Sequence, residues 1–197
     1  TIMTEDKLIG ARDPHGFRPL CIGKLDDGTW ILSSETCGLD VNGAEFVRDV
    51  APGEMVVIDD SGLKSYKFRQ GEKLASCIFE YIYFARPDSV IDGQSVHAAR
   101  FEMGRILARE SKFEGDIVIS VPDSGTTAAT GYAYEAGLPF VEGLIKNRYI
   151  GRTFIQPTQK ARDTAVKLKL NAIRSVVEGK RVIMVDDSIV RGTTSGK

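Results

Sequence analysis

Histidine and cysteine are scarce in this chain, at two and three residues of 197. Cys21, Cys37 and Cys77 are odd in number and form no close pair, so neither a disulfide framework nor a zinc knuckle is indicated, and a reducing cytoplasm is expected. His15 and His97 have no acidic or cysteine partner at metal-ligand spacing; a turn and a helix start are the roles expected of them. No apolar run approaches the roughly 18 residues of a membrane helix, and no secretory signal is visible. Excess charge is also missing. The formal net charge of −1 argues against a nucleic-acid binder. There is no internal repeat and no low-complexity tract, and the length suits one large or two small domains.

What is present is concentrated near the end. Val182-Ile183-Met184-Val185 reads as a strand buried on both faces, the kind found in parallel sheets. Asp186 and Asp187 follow where that strand should stop. Ser188, Gly192, Thr193, Thr194 and Ser195 then offer hydroxyls and backbone N–H groups that could ring a phosphate. Ligands of open α/β sheets bind beyond the carboxyl ends of the strands. A solvated turn is the plainer alternative, but a turn has no need of two acids, a run of hydroxyls and a glycine.

The string Val185-Asp186-Asp187-Ser188-Ile189-Val190-Arg191-Gly192-Thr193-Thr194-Ser195 resembles the phosphoribosyl-pyrophosphate (PRPP) loop of type I phosphoribosyltransferases. Taken whole, it is similar to that of the glutamine PRPP amidotransferase family. Three further strings resemble the same family in the same order: Asp13 to Leu20, Tyr81 to Ser89 and Lys146 to Pro157. The resemblance covers essentially the whole chain. It implies glutamine-dependent transfer of ammonia to PRPP, giving 5-phosphoribosylamine, pyrophosphate and glutamate at the start of purine synthesis. The implied cofactor is Mg²⁺, and one branch of the family adds a [4Fe–4S] cluster with a cysteine at the position of Cys77. Purine nucleotides are the implied feedback inhibitors and a homo-oligomer the implied assembly; neither a membrane nor a nucleic acid is an expected partner.

The order of elements fits two parts of different character. Residues 1–72 read as β-rich, with a strand at Trp30–Ser34 and a hairpin of Met55–Asp59 and Leu63–Phe68 around Asp60-Ser61-Gly62. By resemblance this is the later half of an N-terminal-nucleophile glutaminase domain whose catalytic cysteine lies upstream of Thr1; no glutaminase nucleophile is expected here, and Cys21 and Cys37 are expected as core thiols. Residues 73–197 alternate strand and helix, which predicts an incomplete parallel sheet of the phosphoribosyltransferase type. The expected helices carry Ala99, Met103, Ile106 and Leu107 behind a Ser95 N-cap, then Gly125 to Glu135 closed by Gly137, then a stripe of Val166, Leu170, Ile173 and Val177. The expected strands are Asp116–Val121, Phe140–Ile145 and the one at Val182. Both ends look cut, so the chain is expected to be a piece of a longer protein.

Site roles follow from the chemistry of PRPP. Asp186 and Asp187 are suited to accept hydrogen bonds from the 2′- and 3′-hydroxyls while facing Mg²⁺, and residues 188–195 to hold the 5′-phosphate. Gly192 would let the backbone come close. Pro122-Asp123-Ser124-Gly125-Thr126 ends one strand and opens a helix; by resemblance it is the pyrophosphate loop, with Ser124 on the Mg²⁺ side, whereas a plain helix N-cap is the simpler reading. Lys146, Arg148 and Arg152 open a glycine-bearing segment that in the family is a flap over PRPP, and they are candidates for nucleotide contacts; a surface loop is the alternative. From Lys146 to Arg181 ten Lys/Arg face only Asp163 and Glu178, a local +8 that leaves −9 elsewhere. That imbalance suits a polyanion, although a solvated basic helix face is the usual reading for Lys167, Lys169 and Arg174.

Two rivals of other classes are weaker. A P-loop NTPase would need four residues between the glycines where Gly192 to Gly196 has three, and its acidic strand would not precede the loop. A PRPP-sensing regulator without transferase activity would not need the Pro122–Thr126 and Lys146–Pro157 strings.

Overall fold

Turn residues and period-two patterning build the first part of the chain from hairpins. The protein is described here from a computed structural model covering residues 1–69, 73–149 and 170–189. Contacts divide it into two compact units, Thr1–Ala99 and Arg100–Lys197. The first holds β1 (Ile2–Met3), β2 (Leu8–Ala11), β3 (Cys21–Lys24), β4 (Trp30–Ser33), α1 (Thr36–Val41), β5 (Glu45–Asp49), β6 (Glu54–Asp59), β7 (Gly62–Lys67) and the small hairpin of β8 (Val90–Ile91) with β9 (Gln94–Ser95). Antiparallel sheets run in the orders β1-β2-β6-β7 and β4-β3-β5. The expected hairpin is there, with Asp59 paired to Gly62 and Glu54 to Lys67.

Successive residues of β3 point to opposite faces. Ile22 packs with Val50, Val56, Trp30, Leu32 and Leu63, joining the two sheets. Cys21 turns the other way onto Leu39 of α1 and Ala44, so this thiol and Cys37 are core residues at 2% and 5% exposure. Burial first, then surrounding carboxylates, pushes the Cys21 thiol up to about 12, which removes it as a nucleophile.

The contact division after Ala99 lies downstream of the change of sequence pattern near residue 72. Residues 73–95 strap the first unit. Ala75 N–H donates to His15 O at 2.8 Å and Cys77 N–H to Phe17 O at 3.1 Å. Ser89, fully buried, donates to Glu35 Oε2 at 2.8 Å, and Val90 N–H donates to Thr36 Oγ1 at 2.8 Å. The buried Arg12 guanidinium grips both oxygens of Asp92, at 3.0 and 3.1 Å, and three backbone carbonyls besides. His15 sits in the turn closed by Asp13, as expected.

Helix α2 (Val96–Glu110) carries the chain across the division, and Ser95 Oγ accepts from Ala98 N–H at 3.2 Å, the expected N-cap. The second unit continues with β10 (Ile117–Ser120), α3 (Thr126–Ala136), β11 (Leu144–Lys146), β12 (Leu170–Ala172), α4 (Arg174–Val177) and β13 (Val182–Val185). β10 and β13 are parallel in register from Ile117↔Val182 to Ser120↔Val185, and Phe140 makes a parallel bridge to Val118 on the other side. Val118, Ile183 and Val185 pack with Ala129, Tyr132 and Ala133 of α3 and with Ala108. Gly137 ends α3 in the left-handed region, as its position predicts.

Three expectations fail. The buried residues of α2 are Val96, Ala99, Arg100, Gly104 and Ala108, so of the expected stripe Ala99 is buried and Met103 half-buried, while Ile106 and Leu107 stay 42% and 40% exposed. A Cβ on Gly104 would lie 1.9 Å from Ala128 O, and one on Gly131 would lie 2.0 Å from Phe101 O, so small residues set this helix contact. The strand expected at Phe140–Ile145 is only a bridge at Phe140, with the strand proper at Leu144–Lys146. Leu170 is not helical: it pairs with Lys146 in the antiparallel β11–β12 ladder, and only Arg174–Val177 turn into helix. Tertiary pairing has overridden a helical spacing. Val166 lies outside the described residues. Among those residues, no helix is long and apolar enough to cross a membrane.

Candidate functional site at the carboxyl ends of parallel strands

Because β10 and β13 are parallel and in register, the chain leaves both at the same edge of the sheet. Val121 N–H donates to Val185 O at 2.9 Å, one step past the last paired residues. This brings the loop after β10 (residues 121–125) against the residues after β13 (186–189). Gly125 is buried at their junction. A Cβ there would stand 2.9 Å from Val121 O, 2.9 Å from Val185 O and 3.2 Å from Asp186 Cα, so only glycine lets the two strand ends approach this closely.

Side chains join the loops. Ser124 Oγ donates to Asp187 Oδ2, and Ser188 Oγ donates to Asp187 Oδ1 at 2.6 Å. Asp187 N–H donates to Asp186 Oδ1 at 2.8 Å. Ser124 therefore does not cap α3; the N-cap position is Gly125, without a side-chain cap, and the plain N-cap reading of this loop falls. Ser120 Oγ and Thr126 Oγ1 lie 3.2 Å apart beneath the loop. Burial pushes the Asp186 carboxyl up; the Asp187 N–H opposes that rise and the neighbouring Asp187 charge adds to it. Such a pair favours a cation.

Lys146, at the end of β11, adds a positive group: its Nζ donates to Asp123 Oδ2 across the loop. Neither this pairing nor the role of Gly125 could be read from sequence, since Asp123 and Lys146 are 23 positions apart with no motif linking them. Pro122 is half-buried and Ile189 is 85% exposed beside the acids. Arg148 is exposed. Val190, Arg191, Gly192, Thr193, Thr194 and Ser195 lie outside the described residues, as do Arg152 and most of the expected flap.

The oxygen donors suit a hard divalent cation: Asp187 and Asp186 carboxylates with the Ser124 hydroxyl, all partly solvated, are what Mg²⁺ takes alongside retained water. The [4Fe–4S] expectation meets a single thiol. Cys77 is half-exposed, while Cys21 and Cys37 are buried, and such a cluster takes four thiolates. The described residues do not by themselves make that site, nor do they contain any group of three or more His, Cys, Asp or Glu placed to hold a metal.

The second unit is mixed α/β and gathers acids, hydroxyls and a lysine at the carboxyl edge of its parallel strands, where ligands of open α/β sheets bind. Comparison with known proteins is specific. The chain is 60% identical over 195 residues to an amidophosphoribosyltransferase of Archaeoglobus fulgidus, and 57% identical over 194 residues to that of Bacillus subtilis. These alignments cover 99% and 98% of the chain but 42% and 40% of the relatives. A solved structure of the Bacillus subtilis glutamine PRPP amidotransferase, complexed with ADP and GMP, superposes with a TM-score of 0.87 over 98% of the chain and 42% of that protein. No family model matches. The chain is thus amidophosphoribosyltransferase-like along its whole length, and it spans about two fifths of the length of the curated relatives it matches.

Proposed function

We propose that the protein to which this stretch belongs transfers glutamine-derived ammonia to C1 of PRPP, the first step of purine biosynthesis. The observation that carries the reading is the Ser124–Asp187 hydrogen bond, which ties the loop after β10 to the acidic pair after β13. Residues 1–72 would belong to the glutaminase part and 73–197 to the phosphoribosyltransferase part.

The residues divide the work by charge. Asp186 and Asp187 accept hydrogen bonds from the ribose 2′- and 3′-hydroxyls, holding the ring as positive charge develops at C1. Residues 188–195 donate to the 5′-phosphate. Pro122 to Thr126 cradle the pyrophosphate at the start of α3, where backbone N–H groups favour an anion. As the ammonia lone pair forms the C1–N bond, the C1–O bond breaks and its electron pair leaves with pyrophosphate; the nitrogen then loses a proton. No protein nucleophile is required, so the contribution is positioning and preorganised charge. Ser124, Asp186 and Asp187 would hold Mg²⁺, which would supply neutralisation of the charge that develops on the leaving pyrophosphate.

Lys146, Arg148 and Arg152 are proposed for flap and nucleotide contacts, in keeping with the relative solved with ADP and GMP. A homo-oligomer and a cytoplasmic location are proposed as well, although a Glycine max relative is chloroplastic. Cys77 is proposed as one cluster ligand only if three other thiolates are supplied from elsewhere; iron content in Cys77→Ser against wild type tests it. For the main reading, pyrophosphate release from PRPP is measured with ammonium and Mg²⁺ on the full-length protein. Folded protein that binds PRPP without releasing pyrophosphate would be a regulator, and the transferase reading would be wrong.

A further inference from the structure

The Asp123 carboxylate was given no contact of its own in the pyrophosphate cradle, yet it stands in the loop assigned to the most highly charged portion of the ligand. It is 74% exposed at its side chain, and its partner Lys146 is 27% exposed. Lys146 is held at the end of β11, whose ladder with β12 pairs Lys146 with Leu170, so the backbone that carries the ammonium is anchored. Lysine carries its charge as a compact point on a flexible stem, so its ammonium can swing from one anionic partner to another. In this structure that partner is Asp123.

We propose that Asp123 is an internal competitor for Lys146: its carboxylate occupies the ammonium that a phosphoryl oxygen of the ligand takes over on binding. The inference rests on the reading of residues 122–126 as a pyrophosphate loop and adds a selectivity to it. A carboxylate with one charge holds Lys146 against weakly charged anions. Pyrophosphate carries more charge on clustered oxygens and displaces it. Binding therefore exchanges one ion pair for another, and affinity is lower than the lysine alone would provide. Asp123 acts here through Lys146, as a positioning residue and not a catalytic one.

The test is calorimetric titration of the full-length protein with inorganic pyrophosphate, at fixed ionic strength, for wild type, Asp123→Asn, Lys146→Gln and the double variant. Asp123→Asn should lower Kd roughly threefold to fivefold, the size expected for releasing a partly exposed ion pair. Lys146→Gln should raise Kd, and in that background Asp123→Asn should change nothing. Lys146→Arg, which keeps the charge, should preserve the tightening. An unchanged or raised Kd in Asp123→Asn overturns the proposal. Tightening that persists without Lys146 also overturns it, because the carboxylate would then merely repel the anion. Wild type that binds no pyrophosphate would sink the loop assignment together with the competitor, whereas binding without the coupled effect sinks the competitor alone.

Discussion

Gly125→Ala tests the junction on which the whole site depends. The added Cβ would stand 2.9 Å from two backbone carbonyl oxygens and 3.2 Å from Asp186 Cα, where ordinary contact begins at 3.4 Å. All three neighbours are backbone, so no side chain can rotate away. Relief requires the ends of β10 and β13 to part by about half an ångström, which strains the Val121–Val185 hydrogen bond. Overpacking of this kind costs about 1–3 kcal/mol. At about 2–4 °C per kcal/mol for a chain of this length, the thermal midpoint should fall by about 2–12 °C. Catalysis should suffer more than stability, because Ser124 and Asp187 would be shifted relative to each other and a misplacement of about 1 Å can cost about 10²-fold; ammonia-dependent pyrophosphate release is expected to drop at least about tenfold. Gly137→Ala is the control. Nothing lies within 4 Å of its Cβ, and φ is +65°, so it should lower the midpoint through backbone strain while leaving turnover intact. Wild-type midpoint and turnover in Gly125→Ala would refute the packing argument; a lowered midpoint with normal turnover would refute the placement of the site.

Asp187→Asn and Asp186→Asn should each lower ammonia-dependent turnover by about 10²-fold or more, since preorganised charge at such sites is worth about 3 kcal/mol; near-normal rates in steady-state kinetics would remove the pair from the site. Glu54 links stability to pH. Burial pushes its carboxyl up, but hydrogen bonds from Arg48, Ser65 and Ala51 N–H outweigh burial and hold it at about 2, below its ordinary 4.5. The depressed value means its stabilisation, about 2–3 kcal/mol after allowing for the part-exposed Arg48, is present above pH 4.5 and lost as pH falls towards 2. Denaturant unfolding of Glu54→Gln against wild type should show that gap at pH 7 and its narrowing in acid; a pH-independent gap would contradict it. Asp92→Asn leaves Arg12 buried with carbonyl partners only, and a loss of about 2–4 kcal/mol in the same assay is expected.

Elements whose side chains answer to their own local pattern were legible. β13 is a short, wholly apolar run, β10 is one up to Ser120, and α3 has its glycine stop in sequence; the Ser95 cap and the Asp59–Gly62 hairpin follow the same logic. What was hidden depends on partners distant in sequence. Leu170 and Ile173 carry helical spacing, but β11 offers a strand edge and the ladder wins. In α2 the larger apolar residues drew attention to the wrong face, because the contact with α3 is made by glycine and alanine, whose signal in a sequence is slight. For the site, the two loops could be named from their residues and from resemblance. Their junction at Gly125, and the Asp123–Lys146 pairing, could not.

Glycine serves both turns and close approach in each unit, and the close approaches of the second bear on the site. In the first, Gly16, Gly28, Gly43, Gly53 and Gly62 all have positive φ and serve turns. In the second, Gly104, Gly125, Gly131 and Gly143 have ordinary φ, and each would put a Cβ within 2.9 Å of a neighbour. Gly104 and Gly131 close α2 onto α3, Gly143 passes against Ile119 of β10, and Gly125 joins the ends of β10 and β13. Close backbone approach removes rotatable side chains from the supports of the site. Ser124 and Asp187 are then placed by main chain packed on main chain, which leaves little freedom to reorganise when a charged ligand arrives. A catalyst that works by positioning and charge, with no covalent step, gains most from such rigidity, because any reorganisation would be charged against the barrier.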